Sequence, residues 1–287
     1  MYIDFSSKPP TPEFQDKGSH MANYNRVYQA TKGAVSAARE QSDASALAQY
    51  LDAYERTGAK HVVLKGRDLE STYGFKVSNE DVAAFCTRHG PRFIGYAGVD
   101  PNKGMAAIRD LEHAVRNLGM RGCNLPCFEL KLAINDPRMY PVYAKCIELD
   151  VPVVLHCGVN FSVSSPIRNS HPQLLDDVMV HFPELRVIAA PPGWPWVQEL
   201  IAVAWRHKNV FIALAAVRPK YLATANSGYE PLLQYGTSIL KDRIIFGSAF
   251  PLMPVEQALD DLDSLPISDD VKRKWLHDNA ARALGLA

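Results

Sequence analysis

NDPRMYPVYAKCIELDVPVVLHCG, residues 135–158, contains one complete repeat unit of the fold. The pair Asp136-Pro137 can cap and begin a helix, and the helical pattern continues to Leu149. A short apolar run from Val151 to Leu155 follows at once and is typical of a strand in a parallel sheet. The stretch therefore predicts a helix that leads into a strand, with the polar side chain of His156 at the end of that strand.

The same alternation of amphipathic segments and short apolar runs continues along almost the whole chain, which indicates repeated βα units. Eight candidate strands in 287 residues fit the size of a (β/α)₈ barrel, whereas an open doubly wound sheet rarely needs so many. We predict an α/β fold, a single TIM-barrel domain over residues 1–287. The predicted strands are Tyr2 to Phe5, His61 to Leu64, Arg92 to Ala97, Gly122 to Leu125, Val151 to Leu155, Arg186 to Ala190, Val210 to Leu214 and Arg243 to Phe246.

Composition limits the classes of partner. Basic and acidic residues both total 31, so no net field favours nucleic acid or an anionic membrane, and a small molecule is the expected partner. No apolar run approaches the roughly 20 residues that a membrane-spanning helix needs. The five cysteines form no CxxC pair, and no secretory signal is recognisable, which favours a cytoplasmic protein.

Active sites in this fold lie on the loops after the strands, at the end of the barrel called the mouth below. The first connection, residues 6–42, is long enough to fold over that end. Tyr73, Phe128 and Phe161 are expected to line the mouth and suit a substrate with an aromatic or apolar body. The polar and aromatic residues predicted there are Ser6, Lys8, Lys65, Arg67, Asn124, His156, Trp194 and Ser248.

Segments along the whole chain resemble the amidohydrolase-related family, in the branch that contains aminocarboxymuconate-semialdehyde decarboxylase. They occur in the family's order and at its spacing, and the resemblance implies a barrel of the metal-dependent hydrolase type. It also implies that homo-oligomers are common, so a homodimer is expected. The segments are Tyr2 to Phe5, Gly95 to Pro101, Leu118 to Gly122, Asn135 to Tyr143, Pro152 to Gly158, Gly193 to Trp196, Phe246 to Ser248 and Asn279 to Leu286.

This chain departs from the family pattern where the resemblance places a catalytic metal. The family's first-strand His-x-His falls on Ser6 and Lys8. Its sixth-strand histidine falls on Pro191 and its eighth-strand aspartate on Ala249, so that His156 alone remains. A zinc or manganese site needs several converging nitrogen, oxygen or sulfur ligands, so we expect neither a bound metal nor another cofactor.

Two residues are predicted to be catalytic. His156 suits general acid or base chemistry, although it can also be a remnant that bonds a loop carbonyl. Lys8 can replace the charge of the metal and, with Arg67, clamp a carboxylate or an oxyanion. Arg67 has the alternative of a surface ion pair with Asp68 or Glu70. Substrate contacts are expected at Ser6, Lys65, Arg67, Asn124, Trp194 and Ser248, and a desolvated Lys8 or Lys65 can also form a Schiff base.

Three functions follow from these residues. The leading hypothesis is a metal-independent hydrolase or lyase that cleaves a C–C or acyl bond in a small carboxylate, lactone or β-keto substrate. Polar and cationic replacements at Ser6 and Lys8 favour it, because an apolar plug would have blocked the site. The second is a catalytically inactive relative that binds a metabolite or partner, as Pro191 and Ala249 suggest. The third is a decarboxylase with displaced metal ligands, using His20, Asp100 or His171 together with His156.

Overall fold

Eight parallel strands form the barrel that the sequence predicts. The computed structural model describes residues 1–15, 17, 22–24 and 44–286. A small antiparallel hairpin of β3 (Arg67–Leu69) and β4 (Phe75–Val77) lies outside the barrel sheet. The barrel strands are β1 (Tyr2–Ser7), β2 (Ala59–Lys65), β5 (Phe93–Gly98), β6 (Cys123–Leu125), β7 (Val153–His156), β8 (Val187–Ala190), β9 (Val210–Ala213) and β10 (Ile244–Ile245). Each overlaps a predicted strand, so the fold prediction is confirmed.

The strands follow one another around the barrel in chain order, and the first strand closes against the last. The backbone N–H of Phe5 donates to the carbonyl of Phe246 at 3.1 Å. One step nearer the mouth, Ser7 pairs in parallel with Phe250, and the N–H of Lys8 donates to the Phe250 carbonyl at 3.0 Å. Closure therefore brings the ends of β1 and β10 together at the mouth.

Helices connect successive strands and cover the outside of the barrel. They are α1 (Ala44–Arg56), α2 (Glu70–Tyr73), α3 (Asn79–His89), α4 (Met105–Arg116), α5 (Cys127–Leu130), α6 (Tyr140–Glu148), α7 (Gln173–His181), α8 (Val197–Arg206), α9 (Glu230–Gly236), α10 (Val255–Asp263), α11 (Asp269–Arg273) and α12 (Asn279–Ala283). Short 3₁₀ turns cover Pro12–Phe14, Pro101–Lys103, Pro137–Met139, Ile167–Ser170 and Pro219–Ala223. Among the described residues, no helix combines the length and apolarity that a bilayer crossing requires.

Local signals in the sequence set several helix ends. The Ser78 side chain accepts from the Asp81 N–H at the start of α3. The Asp136 side chain accepts from the Arg138 N–H before α6, where the sequence predicts a cap. The C-terminal helix is interrupted by a π turn over Lys274–Asp278. At this turn the Trp275 carbonyl accepts the N–H of Phe246 at 2.9 Å, so the last barrel strand uses a backbone acceptor of the helix.

Strand residues alternate between the inside of the barrel and the helix layer. Val63 and Tyr96 belong to the inner cluster, whereas Val62 and Leu64 pack outward against the helices. This alternation places Lys65, two residues after Val63, on the inner face at the mouth. His156 follows the inner residue Val154 in the same way.

The hairpin formed by β3 (Arg67–Leu69) and β4 (Phe75–Val77) was not predicted. It follows β2 after the single residue Gly66, and its two strands of three residues each are too short to give a recognisable alternation. The hairpin matters for the site because it places Arg67 at the edge of the mouth.

Close approach of the hairpin to β5 requires a glycine at position 98. A Cβ atom there would lie 2.3 Å from the backbone nitrogen of Arg67 and from the carbonyl carbon of Gly66. We expect Gly98→Ala to lower the free energy of unfolding in urea by about 1–3 kcal/mol. Gly247→Ala is the matched control, because its Cβ would meet neighbours only at 3.5 Å, an ordinary contact. Equal losses in the two variants would contradict this interpretation.

Candidate active site at the barrel mouth

Lys65 ends β2 and brings an amine into the mouth. Its Nζ donates to the Ser6 Oγ at 3.1 Å and lies 5.1 Å from the centre of the Phe5 ring. Burial lowers the pKa of Lys65 from 10.5 to about 8, and the negative charge of Asp4 opposes this shift. Roughly a tenth of the Lys65 amine is therefore neutral at pH 7. The structure brings together the predicted residues Ser6 and Lys65.

Asp4 organises the strand ends beneath this pair, a role that sequence reasoning missed. Its fully buried carboxylate accepts from the backbone N–H groups of Ser6 at 3.1 Å and Ser248 at 2.9 Å. It also accepts from the Ser248 hydroxyl at 2.5 Å and the Tyr54 hydroxyl at 2.7 Å. Burial raises the pKa of Asp4, and these hydrogen bonds oppose that shift.

The hydroxyl of Ser248 is bonded to Asp4, and its residue is fully buried. The hydroxyl belongs to the network that joins β1 to the loop after β10, and the substrate contact at Ser248 stays a prediction. A signal for Asp4 was present in the sequence, since a carboxylate two residues before the mouth in an otherwise apolar strand needs several donors when buried.

His156 ends β7, which lies three strands beyond β2 in the order around the barrel, and its side chain faces the mouth. Its Nδ1 lies 3.0 Å from the hydroxyl of buried Ser170, and its ring packs edge-on against Phe128 at 4.4 Å. Burial lowers the pKa of His156 from 6.5 to about 4, while Glu129 opposes the shift. The imidazole is therefore neutral at pH 7, where it can accept a proton but is not itself a charged acid.

Arg67 pairs with a carboxylate that the sequence did not indicate. Its Nε donates to Glu129 Oε2 at 3.1 Å, and a second bond from Nη2 to Oε1 completes a bidentate pair. Both side chains are largely buried. The alternative of a surface pair with Asp68 or Glu70 is wrong, because Lys103 binds both of those carboxylates, at 2.5 and 2.6 Å. Arg67 thus enters the mouth with its charge already balanced by Glu129.

The other predicted residues occupy different parts of the mouth. The Asn124 Nδ2 donates to the Gly66 carbonyl at 2.9 Å and so anchors the end of β2 to β6. Trp194 is 40% exposed at the rim, where its indole lies against Gly228. Lys8 is half-buried next to the closure of β1 on Phe250. Of the predicted set, Ser6 and Lys65 are in direct contact.

Part of the long first connection covers the mouth, as expected. Tyr24 stacks on Phe128 and meets Phe161 edge-on, both at 5.7 Å between ring centres. The Asn23 Nδ2 donates to the Phe161 carbonyl at 2.6 Å. Phe128 contacts His156, so the three rings lie next to the imidazole. They form an apolar wall suited to a flat substrate.

Asn160, on the loop after β7, is a second polar residue that sequence reasoning missed. It is 7% exposed, and neither atom of its carboxamide has a hydrogen-bond partner among the residues that the structure describes. A buried amide that lacks partners is costly, and such groups in native proteins commonly bind water or a ligand.

The residues of the mouth do not fit the metal that the family resemblance implies. The positions where the resemblance places first-strand ligands hold the Ser6 hydroxyl and Lys8, and neither Pro191 nor Ala249 has a ligand atom in its side chain. Within residues 1–15, 17, 22–24 and 44–286, no three histidine, cysteine or acidic side chains converge. His156 is the one side chain of the inherited set that can ligate a metal.

Among the described residues, the displaced ligands Asp100 and His171 do not join His156. Asp100 accepts from Asn102 at 3.0 Å and from the Ser71 N–H at 3.3 Å, so it organises two turns. His171 packs on Trp196 at 4.4 Å between ring centres. His20 lies outside the described residues.

The lowered pKa of His156 makes stability depend on pH. The fold favours the neutral ring, so this contribution is complete above pH 6.5 and is lost as the pH falls through about 4. We expect urea unfolding of the protein to show a decline of up to about 3 kcal/mol across that window that His156→Asn largely removes. His113→Asn, at an exposed position on α4, should retain the decline. An unchanged slope in His156→Asn would show that folding does not lower the pKa of His156.

Comparison with known proteins places this geometry in a family. A family model described as amidohydrolase matches residues 41–286. A γ-resorcylate decarboxylase from Rhizobium radiobacter is 24% identical over 252 residues, 73% of this chain and 75% of the relative. The TIM-barrel protein Bb4693 from Bordetella bronchiseptica superposes with a TM-score of 0.80 at 28% identity, covering 99% of this chain and 98% of the other. A 5-carboxyvanillate decarboxylase from Novosphingobium aromaticivorans, solved with bound manganese, superposes at 0.71 with 14% identity over 100% and 97%. The chain belongs to the amidohydrolase family.

Proposed function

We propose that this protein is a metal-independent lyase or hydrolase that cleaves a C–C or acyl bond in a small carboxylate, lactone or β-keto substrate, with decarboxylation as the leading reaction. The observation that carries the proposal is the Lys65 amine, held at 3.1 Å from Ser6 where the resemblance places a metal ligand. The decarboxylases among the relatives support the reaction class. The aromatic wall beside His156 supports an aromatic body for the substrate.

Decarboxylation leaves an electron pair on carbon, and catalysis requires positive charge where that pair is delocalised. Protonated Lys65 supplies such a charge inside a buried site, where its effect is stronger than in water. An ammonium group whose pKa is about 8 also returns a proton to carbon or oxygen more readily than an ordinary lysine. Neutral His156 accepts a proton from a substrate hydroxyl or from water, and Lys8 adds charge at the same end of the barrel.

One observation favours the second candidate, an inactive relative that binds a metabolite. The charge of Arg67 is paired with Glu129, so the predicted carboxylate clamp of Arg67 and Lys8 loses one member. Binding by the remaining mouth residues needs no acid or base. The homodimer and the cytoplasmic location expected from the sequence stay predictions for either candidate.

Turnover with and without chelator separates these candidates. We expect EDTA-treated protein to act on at least one member of a panel of γ-resorcylate, benzoylacetate and dihydrocoumarin, and added manganese to leave the rate unchanged. Lys65→Met and His156→Asn should each lower kcat/KM on the order of 100-fold, because each removes a charge or a proton acceptor at the reacting atoms. Product formation is followed by chromatography.

Lys60→Met is the matched control, because Lys60 is exposed at the other end of the same strand. Its kcat/KM should equal that of the unmodified protein. A strict requirement for manganese, or full activity in Lys65→Met, would overturn the proposal. Saturable binding of the panel without turnover would instead identify the inactive relative.

A further inference from the structure

The side-chain partner of Lys65 differs from the partners of four other half-buried lysines. Each of these binds a carboxylate at 2.5–2.7 Å: Lys103 to Asp68, Lys145 to Glu148, Lys272 to Asp263 and Lys274 to Asp242. Lys65 has no carboxylate within 4.0 Å among the described residues, and its hydrogen-bond partner is the neutral hydroxyl of Ser6. An ammonium group in this environment is poorly stabilised, so the neutral amine is accessible.

The surroundings of the amine suit attack on a carbonyl carbon. Lys65 lies on a rigid barrel strand whose register with β5 is continuous from Val62 to Lys65. The Phe5 ring excludes water on one side, and the Ser6 hydroxyl is placed to carry protons to and from the nitrogen. Asn124 fixes the next residue, Gly66, through the carbonyl of that residue. The nitrogen is thus held in place at the mouth.

We propose that Lys65 forms a Schiff base with the ketone carbon of a β-keto carboxylate and thereby decarboxylates it without a metal. This inference rests on the proposed function and names both the substrate class and the nucleophile. A pKa of about 8 for the amine supports it, because an appreciable neutral fraction exists near neutral pH.

The steps balance without an oxidant or a reductant. The neutral Lys65 nitrogen adds to the ketone carbon to give a carbinolamine. The carbinolamine takes up one proton, relayed from solvent by the Ser6 hydroxyl, and loses one water to give a protonated imine. The bond between the α-carbon and the carboxylate then breaks, CO₂ leaves, and the electron pair moves onto the imine nitrogen as an enamine. The α-carbon takes up a proton from the solvent, and water hydrolyses the imine to release the ketone and free Lys65.

Borohydride trapping tests the covalent step directly. Full-length protein is incubated with benzoylacetate and sodium borohydride, digested, and analysed by peptide mass spectrometry. We expect a reduced secondary amine on the peptide that contains Lys65, together with irreversible loss of benzoylacetate decarboxylation. Lys60→Met should be labelled as the unmodified protein is, whereas Lys65→Arg should acquire no label at this position.

The outcomes separate this inference from the proposed function. Metal-independent turnover that survives borohydride, with no label on Lys65, would overturn the Schiff base and leave the proposed function intact. A label on other lysines of both unmodified and Lys65→Arg protein, with none on Lys65, would also overturn it. A label on Lys65 in the unmodified protein supports the inference even if Lys65→Arg folds poorly, since the trap is read on the native chain.

Discussion

The mouth of the barrel depends on the buried carboxylate of Asp4. By accepting hydrogen bonds from the backbone of both Ser6 and Ser248, it fixes the end of the first strand against the loop after the last. A buried carboxylate is tolerated only where its oxygens are satisfied, and here the hydroxyls of Tyr54 and Ser248 complete the set. The position of Ser6, and with it the partner of Lys65, follows from this network.

Under the proposed function, the barrel keeps electrostatic catalysis without the ligands for a cation. A divalent metal supplies concentrated charge but requires several converging ligand atoms. Lys65 supplies one positive charge on a side chain fixed by the strand itself, and it needs only Ser6 as a partner. The proposed replacement of a metal by Lys65 gives up strong Lewis acidity, but it provides an amine whose pKa of about 8 lies near neutral pH.

The sequence predicted the barrel well because each strand is a short apolar run bounded by helix signals, a pattern that requires no knowledge of distant contacts. It also placed Lys65 and His156 at strand ends. It did not identify the Arg67–Glu129 pair, since the two residues are 62 positions apart and the short helix that carries Glu129 has no strong periodicity. It did not indicate the bond between Ser248 and Asp4 for the same reason, since the two residues are 244 positions apart. The direction of the pKa shifts likewise depends on burial, which only the folded chain defines.

We propose that the charge of Lys65 lies where the family resemblance implies a metal. A crystal structure of the protein soaked with γ-resorcylate and manganese, with anomalous scattering recorded at the manganese edge, tests it most directly. We expect the ligand carboxylate or hydroxyl in hydrogen-bond contact with Lys65 Nζ and no anomalous peak at the mouth. A manganese ion bound by His156 and by other residues of the mouth would contradict it.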